Sequence, residues 1–218
     1  TPVTKLEPLQ LEGVLNGALT GPYDSLKIMV NLDFQKLKAG DITAENIIAD
    51  GNLYLKNDSL NGTVKLEIDK SEYDDFKLKK IFLETILRNN IADNHIGFYA
   101  SDSLNGFVKT ELMFRKNPSL YLNELSFQIQ DNKWLITKDS SYIAFLKDSV
   151  LFNNIEIASK KSFIKTDGVL ASKGEENFSF EANGIKLIKI PGLQLIPYPL
   201  SGTINSKLNI SGTANAPS

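Results

Sequence analysis

The chain has 218 residues, of which 42% are hydrophobic and 23% are charged, and these values exclude wholesale disorder and a collagen-like fibre. Its 24 basic and 26 acidic residues nearly balance, so electrostatics gives no reason to expect a nucleic-acid partner. The absence of cysteine excludes disulfides and thiolate metal sites, and one histidine is a poor inventory for catalysis or zinc binding. We therefore expect a folded protein that is not an enzyme and that holds no metal or cofactor.

Alternation of apolar and polar residues runs along the chain and predicts β-strands with one wet face. The pattern is clear at residues 26–34, 64–68, 178–182 and 200–211. Residues 76–89 break it, so a helix is an alternative to a strand in that segment. The fold class predicted from these patterns is all-β.

Asn-Gly and Asp-Gly pairs punctuate the chain, and such pairs favour the positive-φ conformers of tight hairpin turns. The pairs are Asn16-Gly17, Asp50-Gly51, Asn61-Gly62, Asn105-Gly106, Asp167-Gly168 and Asn183-Gly184. We therefore predict turns at these six places. Between Leu122 and Leu125 the apolar register jumps by an odd number, which indicates a bulge or turn near Asn123-Glu124.

An internal repeat connects two of the predicted hairpins. Residues 58–68 (DSLNGTVKLEI) and 102–112 (DSLNGFVKTEL) are identical at eight of eleven positions, at a spacing of 102 − 58 = 44 residues. A repeat of this size favours hairpins stacked in a quasi-one-dimensional array. The alternative is two similar hairpins within one compact sandwich.

Three segments resemble the TamB and AsmA-like family of envelope proteins. Residues 199–217 (PLSGTINSKLNISGTANAP) are similar to a phrase that recurs in that family, with Gly-x-Ile/Leu in a strand followed by Gly-Thr-x-x-x-Pro in a loop. Residues 15–22 look like a looser copy of the same element. Residues 134–168, which begin at Trp134, are similar to the family's tryptophan strand and the strand that follows it.

The resemblance implies an elongated, curved antiparallel sheet, taco-shaped, with a hydrophobic interior groove. Residues 1–218 would be one β-rich internal segment of a longer chain anchored in the inner membrane of a Gram-negative bacterium. The implied function is to move phospholipid across the periplasm between inner and outer membrane, without catalysis. The implied partners are phospholipid, a membrane reached through regions outside this chain, and an outer-membrane assembly protein.

A sheet with one apolar face has to cover it with another layer or with a ligand that brings hydrocarbon. Under the lipid hypothesis the groove is lined by the apolar row of each strand. These residues are Val64, Leu66, Ile68, Val108, Leu112, Leu125, Phe127, Ile129, Ile155, Ile157, Ile204, Leu208 and Ile210. The alternative is that they form the packed interior of a structural or adhesive β-sandwich module. His95 is expected to be a solvated loop side chain, and Trp134 a core residue.

Overall fold

The computed structural model describes residues 9–22, 24–73, 76–187, 201–213 and 216–217. Their regular structure is antiparallel β-strand, and no α-helix occurs among these residues. The all-β fold class predicted from the sequence is therefore confirmed. In the same residues, no helix is long and apolar enough to cross a membrane.

Contacts divide the chain into two compact units. The first comprises residues 1–90 and 95–105, within which the described strands form an antiparallel meander in the order β1-β2-β3-β4-β6-β7, with β5 beside the end of β4. Its strands are β1 (Gln10–Thr20), β2 (Ser25–Ala39), β3 (Ile42–Lys56), β4 (Ser59–Tyr73), β5 (Phe76–Leu78), β6 (Lys80–Arg88) and β7 (Ile91–Ser101). The first four residues of β7, 91–94, are grouped with the second unit.

The second unit comprises residues 91–94 and 106–218. Its strand order is β8-β9-β10-β12-β13-β14-β15-β16, and β11 pairs with both β9 and β12. The strands are β8 (Leu104–Met113), β9 (Ser119–Ile129), β10 (Asn132–Ile136), β11 (Tyr142–Phe145), β12 (Ser149–Ser159), β13 (Ser162–Ala171), β14 (Glu175–Lys186), β15 (Thr203–Thr213) and β16 (Ala216–Pro217). Within each unit the described strands follow one hydrogen-bonded path, so the two-sheet sandwich is not found there. Leu200, the first residue of the predicted last strand, lies outside the described residues.

The break predicted near Asn123-Glu124 corresponds to a change of partner rather than a turn. Strand β9 continues through these two residues, but it pairs with β11 before them and with β10 after them. The buried Ser141 stabilises this change of partner, because its hydroxyl donates hydrogen bonds to the carbonyls of Lys138 (3.1 Å) and Asn154 (2.8 Å). The Ser141 carbonyl in turn accepts a 2.8 Å hydrogen bond from the Leu122 amide.

The six turns predicted at Asn-Gly and Asp-Gly pairs are wrong, since all six pairs lie inside strands. The hairpins turn elsewhere. Asn57-Asp58 connects β3 to β4 and Asn89-Asn90 connects β6 to β7, and all four residues have φ between 48° and 64°. Positive φ at both turn residues is typical of type I′ turns, which asparagine and aspartate tolerate well.

At two of these pairs, the glycine allows a close approach of backbones. At Gly168, with φ of 103°, an added Cβ would overlap the carbonyl oxygen of Asn177 on the neighbouring strand. The same holds at Gly62, with φ of 140°, against the carbonyl of Asn52. A glycine in a strand often marks such a contact, so at Asn61-Gly62 and Asp167-Gly168 the glycine serves close approach of strands and not a turn.

The helix alternative for residues 76–89 is also wrong, because these residues form β5 and β6. Strand β6 pairs with β4 over seven residues, from Ile68↔Ile81 to Gly62↔Leu87. Both faces of β6 carry large apolar side chains, which hides the period of two in the sequence.

The two copies of the repeat both pass from a turn into a strand, β4 or β8, but they are not equivalent. Asp58 is the second residue of its turn, whereas Asp102 is the first residue of its turn. Gly62 has a positive φ that its counterpart Gly106 lacks. The shared sequence therefore specifies a hairpin but not its register.

Candidate functional site: the apolar face of each unit

In the first unit, apolar side chains line up in rows across the strands. Directly paired residues on neighbouring strands project to the same face of a sheet. One such row crosses five strands and contains no polar side chain: Leu15, Leu32, Ala49, Leu66 and Leu83. The predicted groove residue Leu66 lies in this row.

The other two predicted groove residues of this unit lie in the flanking rows of the same face. Ile68 belongs to the row Phe34, Ile47, Ile68 and Ile81. Val64 belongs to the row Gly17, Val30, Gly51, Val64 and Thr85. Most of these side chains are half-buried, and only Ile47 is fully buried. Among the large apolar side chains of these rows, Leu15 (64% exposed) and Val30 (40% exposed) are the most accessible.

On the opposite face of the first unit, one row is entirely polar and charged. The row displaced by one residue from the leucine row is Asn16, Asn31, Asp50, Lys65 and Glu84. Asn31 donates a 2.6 Å hydrogen bond to Asp50, and Lys65 Nζ lies 2.7 Å from Glu84 Oε1. The pKa of Glu84 lies below its ordinary value, mainly because Lys65 donates a hydrogen bond to the carboxylate and secondly because Lys65 is positively charged. The same carboxylate raises the pKa of Lys65.

In the second unit, matching rows cross β12 to β15. One row consists of Ile155, Thr166, Phe180 and Leu208, and a second consists of Phe152, Gly168, Phe178 and Ile210. A third runs from β10 to β15 through Ile136, Ile157, Ile164, Ala182 and Ser206. Ile204 pairs with Ile185 beyond a register shift in β14. The predicted residues of β12 and β15 therefore share one face.

The predicted residues of β9 lie on this face too. Phe127 pairs with Trp134, and the two rings stack with centroids 6.1 Å apart. Leu125 and Ile129 stand two residues before and after Phe127, so they project to the same side. Trp134 precedes Ile136 by two residues, which connects this ring pair to the row through Ile157. All of these side chains are half-buried.

Strand β8 contributes Val108 and Leu112. A Cβ built on Gly106 would come within 2.5 Å of the Phe127 Cβ, so position 106 projects to the face of Phe127. Val108 and Leu112 follow Gly106 by two and six residues and therefore share that face. Between them lies buried Thr110, whose hydroxyl accepts a 3.2 Å hydrogen bond from the side-chain amide of Asn94.

The opposite face of the second unit carries charges of alternating sign. Glu156, Lys165, Glu181 and Lys207 form one row across β12 to β15. Glu156 is further approached by Lys138 Nζ at 3.6 Å. Each residue of this row is next in sequence to a residue of an apolar row, as Glu156 is to Ile157. Charged side chains therefore lie on one face of the unit and apolar side chains on the other.

The thirteen predicted residues are therefore gathered onto one face in each unit, three in the first and ten in the second. Sequence reasoning missed the leucines of β1 and the apolar residues of β2, although both strands alternate and the same pattern would have found them. It also missed two hydroxyls on the apolar face of the second unit. Ser159 Oγ and Thr166 Oγ1 are buried and have no hydrogen-bond partner within the described part of the chain, and no local sequence signal marks them.

His95 is placed differently from the prediction. It lies in β7, not in a loop, and it is half-buried. Its ring packs edge to face against Phe82 with centroids 4.9 Å apart. The solvated-loop interpretation of His95 is therefore wrong.

Among the described residues, no group of three or more acidic or histidine side chains is arranged to hold a metal ion. A shallow recess of about 340 Å³ is lined by three consecutive residues from each of β1, β2 and β3, centred on Gly17, Val30 and Gly51. Comparison with known proteins finds no matching family model, no matching curated protein and no matching solved structure.

Proposed function

We propose that this chain binds the acyl chains of phospholipid on the apolar face of its sheet and conducts lipid as a segment of a periplasm-spanning envelope protein. The observation that carries the proposal is the row Leu15, Leu32, Ala49, Leu66 and Leu83, which is apolar across five strands, with Leu15 exposed and the other four residues half-buried. A ligand of hydrocarbon suits this surface because rows of aliphatic side chains offer no directed polar contact.

The energetics favour a ligand with long aliphatic chains. Burial of each methylene contributes about 0.8 kcal/mol, so two acyl chains laid on such a face offset much of the cost of leaving a bilayer. The hydrophobic effect is non-directional, and neighbouring rows are chemically alike. Bound lipid therefore has many positions of similar free energy, which permits diffusion across the strands with little head-group selectivity.

The resemblance to TamB and AsmA-like proteins supports the envelope setting of this proposal. In that setting the longer protein that contains this chain is anchored in the inner membrane. Lipid passes toward the outer membrane, where an assembly protein is the partner. The charged outer rows, such as Glu156, Lys165, Glu181 and Lys207, suit a face directed to water. No catalytic step is part of the proposal.

The test is lipid retention, measured by native mass spectrometry and lipid extraction on protein purified without detergent. Two variants place a carboxylate on the apolar face, Val30→Asp and Leu208→Asp, where the parent side chains are 40% and 48% exposed. We expect phospholipid on the parent protein and at least a tenfold loss in these variants, because a buried carboxylate against an acyl chain is strongly unfavourable.

Matched controls carry the same change on the opposite face. Ile48 is 48% exposed and Leu135 is 41% exposed, and both lie outside the apolar rows. Ile48→Asp and Leu135→Asp should retain lipid as the parent protein does. A parent protein free of lipid, or equal loss in folded variants of both faces, would contradict the proposed function.

A further inference from the structure

One edge of strand β1 has no partner strand among the described residues. In the described part of the chain it pairs only with β2, from Gln10↔Lys38 to Thr20↔Lys27, and all eleven of its residues are exposed. Proteins usually protect such an edge with lysine, proline or a very short strand. Strand β1 contains a single charged residue, Glu12, and no proline.

The sequence of β1 is self-complementary about Leu15. On its apolar side the residues read Leu11, Gly13, Leu15, Gly17 and Leu19, which is the same in both directions. When the strand is reversed about Leu15, the polar ends Gln10 and Thr20 also exchange places. A two-fold axis brings identical patches together in opposite directions, so a strand of this kind fits a second copy of itself.

We propose that two copies of this chain pair antiparallel through β1, with Leu15 on the two-fold axis. In this register each Leu11 lies opposite Leu19 of the second copy, and each Gly13 lies opposite Gly17. Glu12 lies opposite Ala18, so no like charges meet. A shift of this register by one residue would pair every leucine with a residue from the other face of β1 in the second copy, which the hydrophobic pattern disfavours.

The pairing would also continue the apolar face. The row through Leu15 and Leu32 ends at β1, where Leu15 is exposed. Across the two-fold axis it meets the same row of the second copy, which doubles its length and covers its most exposed residue. The backbone groups of β1 that face away from β2 gain hydrogen-bond partners at the same time.

The absence of cysteine from the chain allows a test by cross-linking without background. Directly paired antiparallel residues have Cα atoms about 4.5–5.5 Å apart, within the range that a disulfide spans. Under oxidation, Leu15→Cys should form a covalent dimer. Leu19→Cys alone should not form a covalent dimer, because position 19 of one copy would lie about 27 Å from position 19 of the other. A mixture of Leu11→Cys and Leu19→Cys should form mixed dimers.

Sedimentation equilibrium of the parent protein should show a concentration-dependent dimer of twice 24.2 kDa. Leu15→Lys and Leu15→Glu should each be monomeric, since like charges meet on the axis, and an equimolar mixture should recover the dimer. Leu208→Cys, also exposed, controls for random collision. A parent protein that stays monomeric at all concentrations would overturn the proposal, as would cross-linking at positions 19 or 208 equal to that at position 15.

Discussion

Phe127 on β9 and Trp134 on β10 are direct cross-strand partners whose rings lie nearly parallel, at an interplanar angle of 13° with centroids 6.1 Å apart. Trp134 is the chain's one tryptophan. The pair stands on the apolar face of the second unit, in line with Leu125 and Ile129. Tryptophan fluorescence therefore reports on that face.

Gly168→Ala should destabilise the fold strongly. The added Cβ overlaps the Asn177 carbonyl, and the positive φ of 103° is unfavourable for alanine. We expect a loss of about 2 kcal/mol or more in the free energy of unfolding, measured by urea denaturation.

Gly51→Ala is the matched control in another strand. Its Cβ would lie 3.8 Å from the nearest side-chain atom, an ordinary contact, and its φ is not positive. The variant should be as stable as the parent or more stable by up to about 1 kcal/mol. Equal destabilisation by the two substitutions would contradict the close-approach explanation of Gly168.

Asn90→Ala should weaken the β6–β7 turn. The Asn90 side chain accepts a 2.7 Å hydrogen bond from the Leu60 amide and donates a 2.9 Å hydrogen bond to the Asp58 carbonyl, so it connects two adjacent turns. Loss of these bonds, together with a positive φ of 64°, should cost about 2 kcal/mol.

Asn90→Gly separates the two contributions, because glycine keeps the backbone conformation but lacks the side-chain bonds. Its loss in the free energy of unfolding should be smaller than that of Asn90→Ala. If the glycine variant were the less stable of the two, the positive φ would not be a source of strain.

The Lys65–Glu84 pair should give a small pH-dependent contribution to stability. The pKa of Glu84 is lowered in the folded state, so its contribution is complete above the ordinary glutamate value, about 4.3, and is lost as the pH falls through the folded pKa. The pKa of Lys65 is raised, so its contribution is complete below the ordinary lysine value and is lost as the pH rises through the folded pKa.

A double-mutant cycle with Lys65→Met and Glu84→Gln measures this coupling by urea denaturation at acidic and neutral pH. Because both side chains are exposed, the coupling should be small at neutral pH, fall with added salt and vanish in acid. Coupling that persists below the folded pKa of Glu84 would show that charge is not its source.

Phe178→Ala should reveal the packed base of the apolar face. Phe178 is buried, and its ring packs against that of Phe152 with centroids 5.4 Å apart. Its truncation should lower the free energy of unfolding by about 3–5 kcal/mol. Leu208→Ala, on the neighbouring row and half exposed, should cost about 1 kcal/mol or less. Similar losses in urea denaturation would mean that both rows belong to one closed core.

Alternation predicted the strands well because each residue's face follows from the period of two. It grouped Val64, Leu66 and Ile68 correctly, and it grouped Ile155 with Ile157, since no backbone irregularity separates them. The same rule would have added Leu15 and Leu32. The faces of the sheet are therefore largely a local property of the sequence.

The turns could not be predicted in this way. Asn61-Gly62 and Asp167-Gly168 have the composition of tight turns, but each glycine allows a neighbouring strand to come close. The real turn at Asn89-Asn90 depends on side-chain bonds to Leu60 and Asp58, about thirty residues away in sequence. Tertiary contacts of this kind are invisible to a local pattern. The same applies to β6, whose strand state follows from pairing with β4.

Quenching of Trp134 fluorescence by phospholipid with brominated acyl chains tests the central claim most directly. Bromine quenches at short range, so acyl chains on the apolar face should reduce Trp134 emission in the parent protein. Leu208→Asp should lessen the effect, while Leu135→Asp, which alters the opposite face next to Trp134, should not. Emission unchanged by brominated lipid, or quenching that is the same in Leu208→Asp as in the parent protein, would contradict acyl-chain binding on this face.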